Sequence, residues 1–325
     1  MPTPRINPFE PVHPAYCADP FVLAAEGAFY AFGTGGGGQG QSADTGHFVL
    51  LRSTDLETWE RLPAPLLPLD TPNVGTHFWA PEAARGDDGK YYLYYSVGKD
   101  GEAGHQLRVA ISEAPGGPYR DVSGPPLIPQ SEVPFAIDAH PFRDADGTWY
   151  LFYARDFLEA EPNGFRSGTG LAVDKLETMT RLARQEKVVL RARYDWQRFE
   201  NNRQMAEYGN QVFDWHTLEG AFVVPHDGQY YCFFSGAAYH SHNYGVDYAV
   251  APHPLGPWSD SDPSTPRVLK TIPNRLRGPG HNSVFTGPDG QQYLAYHAWN
   301  PENTHRQMYL ARLIWTPDGP RADLG

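Results

Sequence analysis

Phe135-Ala136-Ile137-Asp138-Ala139-His140-Pro141-Phe142, the turn Asp144-Ala145-Asp146-Gly147 and the run Thr148-Trp149-Tyr150-Leu151-Phe152-Tyr153 read together as a β-hairpin with one carboxylate at the mouth of its first strand. The same design recurs along the chain. Gly-x-x-Tyr turns begin at Gly27, Gly89, Gly147, Gly228 and Gly290. Nine residues before the last four of these glycines, and eight before the first, stand Ala80, Asp138, Glu219, His281 and Asp19. Five hairpins are therefore expected to bring three carboxylates and a histidine to equivalent places.

Working outward, first strands are expected at 19–24, 81–85, 139–143, 220–225 and 282–286, each followed after its turn by an aromatic-rich strand such as Tyr91-Tyr92-Leu93-Tyr94-Tyr95. Third strands follow at 48–52, 107–111, 170–173, 246–250 and 308–313, and fourth strands are suggested at 59–62, 119–122, 180–182 and around Trp258. The last repeat is expected to end without one. The turn glycines are 62, 58, 81 and 62 residues apart, a period that fits four short strands with loops. Units that cannot bury their own faces stack on their neighbours, which predicts an all-β five-bladed β-propeller of four-stranded antiparallel blades around a central channel. The whole chain, 1–325, is expected to be one domain. The longest interval marks an insertion at about 191–215, between blades three and four, expected to form a lip over the channel mouth.

Bulk composition agrees with that architecture. With 33 Gly, 31 Pro and 14% aromatic residues, the chain suits many short strands and tight turns. A net charge of -12 without a basic cluster argues against nucleic acid or an anionic membrane surface as partner and favours a neutral substrate. Two cysteines far apart, Cys17 and Cys232, imply no disulfide framework and are read as small buried hydrophobes. The residues after Met1 carry no apolar core for secretion, and no run could span a bilayer, so a cytoplasmic location is expected if Met1 is the natural start.

In a propeller the first strand of each unit lies nearest the axis, so the repeated positions should ring one end of the channel. Asp138 and Glu219 come from neighbouring units, and Asp19 is separated from Glu219 by the unit that carries His281. Cleavage of a glycosidic bond needs an acid to protonate the departing oxygen and a base or nucleophile on the opposite face of the sugar. A neighbouring Asp138 would keep Glu219 protonated while Asp19 stays charged, and room for a water between base and sugar predicts inversion. Taken singly, Asp19 before Pro20 reads as a turn residue and Glu219 before Gly220 as a solvated carboxylate. Their joint placement is what points to chemistry.

Taken as a set, Ala18-Asp19-Pro20, Phe78-Trp79-Ala80-Pro81-Glu82, Ile137-Asp138-Ala139-His140-Pro141-Phe142, Leu218-Glu219-Gly220-Ala221 and Gly280-His281-Asn282-Ser283 resemble glycoside hydrolase family 43 over nearly the whole chain. The resemblance implies a five-bladed propeller glycosidase acting on L-arabinofuranosyl or D-xylosyl units. It implies Asp19 as general base, Asp138 as the residue that tunes pKa and orients, and Glu219 as general acid. It further implies substrate contacts from Trp79, His281 at the channel centre, and Arg306, which reaches the acid or the sugar. Many members have Pro in the third place of Glu219-Gly220-Ala221. No cofactor is required on this reading; a calcium ion near His281 is one option, against a purely hydrogen-bonding histidine, and no set of oxygen ligands is legible.

The leading expectation is an exo-acting α-L-arabinofuranosidase on arabinose- or xylose-containing oligosaccharides. A β-D-xylosidase or endo-arabinanase of the same family is the alternative, and a non-catalytic carbohydrate-binding propeller is the alternative of another class. A related fructosidase group fits poorly, because Asp138 follows Ile137 where that group has Arg, and Gly220 follows Glu219 where it has Cys. The glycine run 33–40 lacks the Lys-Ser/Thr and helix of a phosphate cradle, His240-Ser241-His242 lacks a third metal ligand, and Cys17 has no paired histidine.

Overall fold

The computed structural model describes residues 3–35, 47–69, 74–98, 104–161, 164–260 and 264–325, so the glycine run from Gly36 onward lies outside the described residues. The fold is all-β. Unit one comprises β1 (Ala18–Ala25), β2 (Ala28–Thr34), β3 (Phe48–Ser53) and β4 (Glu60–Leu62) in one sheet, and unit two comprises β5 (His77–Arg85), β6 (Tyr91–Gly98), β7 (His105–Ser112) and β8 (Arg120–Asp121) in another. Unit three has β9 (Ala136–Arg143), β10 (Trp149–Phe157) and β11 (Gly168–Thr178), with β12 (Arg181–Leu182) and β13 (Lys187–Leu190) both paired to β11. After β14 (Arg198–Met205), unit four runs through β15 (Gln211–His226), β16 (Gln229–Gly236) and β17 (Gly245–Ala251). Unit five is β18 (Arg277–Thr286), β19 (Gln292–Trp299), β20 (Arg306–Thr316) and β21 (Gly319–Asp323).

Units three and four share one nine-stranded sheet, because β15 pairs in parallel with β11 at Gly168↔His216 and Thr169↔Thr217. That join is made by the predicted insertion. Residues 198–217 form a β14–β15 hairpin continuous with the strand that carries Glu219. Its base is apolar and well packed: Trp215 is fully buried, and Trp196 belongs to the core between units three and four. A Cβ at Gly236 would stand 2.6 Å from the Trp196 ring, so the insertion lies directly on the end of β16.

The last unit differs from expectation. Gly319, at φ 107°, turns the chain so that β21 pairs with β20 from Arg312↔Asp323 to Thr316↔Gly319, and the unit does not end after its third strand. In unit four the suggested strand near Trp258 is reduced to one bridge, Val250↔Ser259.

Each first strand lies against the next, β1 on β5, β5 on β9, β9 on β15, β15 on β18, and β18 again on β1. Apolar layers fill the seams: Tyr94, Leu107, Leu151 and Tyr153 between units two and three, and Val22, Leu51, Phe285 and Leu310 between units five and one. The chain start is tied down beside unit five, where Val12 N–H donates to Met308 O and Cys17 N–H to Arg306 O. Both cysteines are buried, and burial pushes the Cys17 thiol up to about 12, which suits packing rather than nucleophilic chemistry. Among the described residues no helix is long and apolar enough to cross a membrane.

Truncating Trp196 to Ala empties the seam under β16. Urea unfolding is expected to show a loss of about 3–5 kcal/mol; a loss below about 1 kcal/mol would mean that the insertion is not part of the core.

Candidate active site

The site begins with a backbone irregularity repeated five times. Near its start every first strand bulges against its hairpin partner, at Ala18/Phe21, Trp79/Glu82, opposite Phe152/Ala154, at Glu219/Phe222 and at Gly280/Ser283. At each bulge one residue takes positive φ: Asp19 (51°), Ala80 (45°), Asp138 (58°), Gly220 (61°) and His281 (48°). Four of the five are not glycine, a conformation that costs about 1–3 kcal/mol and persists only where surroundings enforce it.

The enforcement is visible. Each bulge turns a backbone N–H into the neighbouring unit, and that N–H finds an acceptor there. Ala80 N–H donates to Thr34 Oγ1 (2.9 Å), Asp138 N–H to Ser96 Oγ (3.0 Å), His281 N–H to Ser235 Oγ (2.7 Å) and Asp19 N–H to His297 Nδ1 (3.1 Å). These four acceptors occupy the same register place on the second strand of their units. In unit three that place is Ala154, which has no acceptor, and there the Asp138 carboxylate takes the Gly220 N–H itself at 3.0 Å.

Glu219 therefore sits one residue upstream of the repeated position, not on it. Units one and four turn in two residues, with Ala25↔Ala28 and His226↔Gln229 closing the hairpins, whereas the other three use five. Eight residues back from Gly228 is Gly220, whose absent Cβ would stand 3.1 Å from the His281 ring. Trp79 holds in unit two the step that Glu219 holds in unit four, half-buried and stacked on His105 at 3.8 Å.

Asp19, Asp138, Glu219 and His281 converge. His281 Nδ1 is 3.4 Å from Asp19 Oδ1 and 3.9 Å from Asp138 Oδ2. Asp19 also accepts from Thr34 Oγ1 (2.6 Å) and from Arg306 (3.2 Å), and lies 3.2 Å from His297 Nδ1. Arg306 thus reaches Asp19 and not Glu219; its other nitrogen donates to Tyr16 OH at 3.1 Å, and its guanidinium lies 4.6 Å over the Tyr239 ring. Glu219 accepts from Tyr244 OH at 2.5 Å.

Charge separates these carboxyls. Burial would raise Asp19, but Arg306 first and then His281 outweigh it and hold its carboxyl well below the usual range. Burial is also the main cause that raises Glu219, with Asp19 adding to it and His281, Tyr244 and Arg306 opposing. Asp138 is raised as well, by burial first and then by Glu219 and Asp19. Glu219 and Asp138 thus both titrate upward, two neighbouring carboxyls in one buried site. His281 is raised despite its burial because three carboxylates surround it, and His297 is lowered to about 4 by burial and Arg306.

Among the described residues no group of three or more His, Cys, Asp and Glu side chains is arranged to hold an ion. His240 instead meets Phe199 of the insertion. His297, Tyr244, Thr34 and Tyr16 were not singled out by sequence, since single polar residues in strands and loops carry no spacing signal.

A family model for glycosyl hydrolases family 43 covers residues 9–320. The chain belongs to that family. It is 29% identical over 327 residues to a β-D-galactofuranosidase of Aspergillus niger, covering 95% of this chain and 82% of that one. It is 22% identical to an extracellular endo-α-(1→5)-L-arabinanase of Thermotoga petrophila over 93% of this chain and 69% of that one. A crystal structure of a thermostable family-43 glycoside hydrolase superposes with a TM-score of 0.75 at 29% identity, covering 96% and 95% of the two chains. The family member described here is accordingly a glycosidase.

Removing one seam acceptor isolates its effect: Ser235→Ala leaves the His281 N–H buried without a partner. A loss of about 1–3 kcal/mol in urea unfolding is expected; an unchanged midpoint would show that the seam bond does not hold the bulge.

Proposed function

We propose that the chain is an inverting, exo-acting α-L-arabinofuranosidase built as one domain, 1–325, a five-bladed propeller of four-stranded blades. The cyclic contact of the five first strands and the five seam hydrogen bonds support that count. The observation that carries the catalytic reading is the opposite treatment of two carboxyls in one buried cluster, Asp19 bonded to Arg306 and pushed down, Glu219 pushed up by burial.

On this reading Asp19 is the general base and Glu219 the general acid. Asp19 takes a proton from a water as its oxygen bonds to the anomeric carbon; the glycosidic bond breaks, and its electron pair on the departing oxygen receives the Glu219 proton. Asp138 orients: its Oδ2 fixes the Gly220 N–H and thereby the backbone next to Glu219. His281 supplies positive charge between the carboxyls, Arg306 keeps Asp19 ionised down to low pH, and Trp79 offers an aromatic face to the sugar. Every proton is handled by side chains.

The choice of sugar follows from the relatives. A β-D-galactofuranosyl ring has the stereochemistry of an α-L-arabinofuranosyl ring with a longer exocyclic arm, so the Aspergillus and Thermotoga names share one ring geometry. A β-D-galactofuranosidase is therefore the second reading, ahead of a β-D-xylosidase. An endo-arabinanase differs only in where the channel holds the chain.

Hydrolysis of the 4-nitrophenyl glycosides of α-L-arabinofuranose, β-D-galactofuranose and β-D-xylose tests the assignment. The arabinofuranoside is expected to turn over at least about tenfold faster than the others, and Glu219→Ala to lose about 10²–10⁴ in kcat on an arabinobioside. Preference for the xyloside would overturn the sugar, and cleavage confined to the interior of arabinan would overturn exo action.

The pH profile tests the base. Because Asp19 is depressed, activity is expected to persist on the acid side to below about pH 4. Arg306→Met removes the positive charge, makes the ionised form less favourable, and is expected to move that limb about 1–3 units toward neutral. An unmoved limb would mean that Asp19 is not the titrating base.

A further inference from the structure

Tyr244 lies at the end of the loop joining β16 to β17, with its ring completely buried and its hydroxyl 2.5 Å from Glu219 Oε1. The ring is held on two sides. It stacks on His297 at 5.6 Å and 7°, and it occupies the space over Gly280, where a Cβ would stand 2.1 Å from the Tyr244 ring. The loop is also anchored along its length: Trp196 covers Gly236, Phe199 meets His240 edge to face at 6.0 Å, and Trp299 Nε1–H donates to Tyr239 O at 3.0 Å. The insertion thus steadies the loop that delivers one phenol to one carboxyl.

We propose that Tyr244 is the positioning residue of the acid, its O–H bonded to Glu219 Oε1 so that Oε2 is the oxygen that carries and delivers the proton. This rests on the assignment of Glu219 as general acid. Burial and the Glu219 charge push the phenol well above its ordinary value, so Tyr244 stays a donor throughout the cycle. When Glu219 gives its proton to the departing oxygen, the carboxylate that remains accepts the same bond more strongly. Tyr244 therefore favours the ionised product of proton transfer and makes Glu219 the stronger acid. The other charged groups facing Glu219 are His281 from β18, Asp19 from β1, Arg306 from β20 and Asp138 from β9, and none of these four hydrogen-bonds its carboxyl oxygens.

The role is separable from packing, because Tyr244→Phe keeps the ring, its stack on His297 and its fit over Gly280. With an arabinobioside, whose departing oxygen must be protonated, kcat is expected to fall about 10–100-fold. With 4-nitrophenyl α-L-arabinofuranoside, whose leaving group needs little protonation, it is expected to change by less than about threefold. KM on both should stay within about twofold, and the basic limb of kcat should move up by about one unit, since a donor to the charged form has gone. The same pair of substrates is run with Glu219→Gln. If Glu219→Gln is selective against the bioside and Tyr244→Phe slows both substrates equally with an unmoved limb, the positioning role is overturned and the acid stands. If Glu219→Gln itself shows no selectivity, the acid assignment fails and this inference with it. Should Tyr244→Phe melt markedly lower, the unmoved or shifted limb of its folded fraction still decides.

Discussion

One buried backbone N–H per unit, turned sideways at a bulge and accepted by a side chain of the neighbouring unit, is the constraint on which the site depends. A buried N–H without a partner costs more than a typical hydrogen bond stabilises. The bulge and its acceptor are therefore fixed together, and the seam between units is set by chemistry as well as by apolar packing. Thr34, Ser96, Ser235 and His297 fill that place in four units. Ala154 leaves it vacant in the third, and Asp138 completes the circuit with its own carboxylate. The residue that closes the ring is thereby oriented toward the unit that carries Glu219.

Crowding three carboxyls into one end of the fold would be unstable without counter-charge. Arg306 and His281 supply it, unevenly. Of the three carboxyls the guanidinium bonds Asp19 alone, and His281 leans nearer Asp19 than Asp138. One carboxyl is consequently kept ionised while the other two titrate upward, which is the asymmetry that acid and base roles need. His297 has two parts in this: its Nδ1 accepts the Asp19 N–H, and its ring face carries Tyr244, the donor to Glu219, so one neutral imidazole serves both carboxyls.

Much of this was legible in sequence because Gly-x-x-Tyr turns mark a period, and the period carries Asp19, Ala80, Asp138 and His281 to equivalent places. Glu219 was found by the same count but for an inexact reason: a two-residue turn at Asp227-Gly228 shifts the true register mate to Gly220. Turn length at one residue's resolution is not visible in spacing alone. The partner of Arg306 was also out of reach, since a residue in the last unit approaches Asp19 only after the chain has closed on its beginning. Tyr244 lies in a loop without periodicity, and the buried residues of the insertion, Trp196, Met205 and Trp215, stand on either side of the polar stretch Arg198-Phe199-Glu200-Asn201-Asn202-Arg203-Gln204, so they show no strand period. The fourth strand of unit five escaped notice because Gly319-Pro320-Arg321 looks like a turn when its pairing with β20 is unknown.

The central claim is that Asp19 and Glu219 act on opposite faces of the sugar, with a water between base and anomeric carbon. Its most direct test is the configuration of the sugar first released. Proton NMR during hydrolysis of an aryl α-L-arabinofuranoside, recorded before mutarotation, is predicted to show β-L-arabinofuranose appearing first, as single displacement by water requires. Initial release of the α-anomer would mean a covalent intermediate on one of the carboxylates, and the division of labour between Asp19 and Glu219 described here would be wrong.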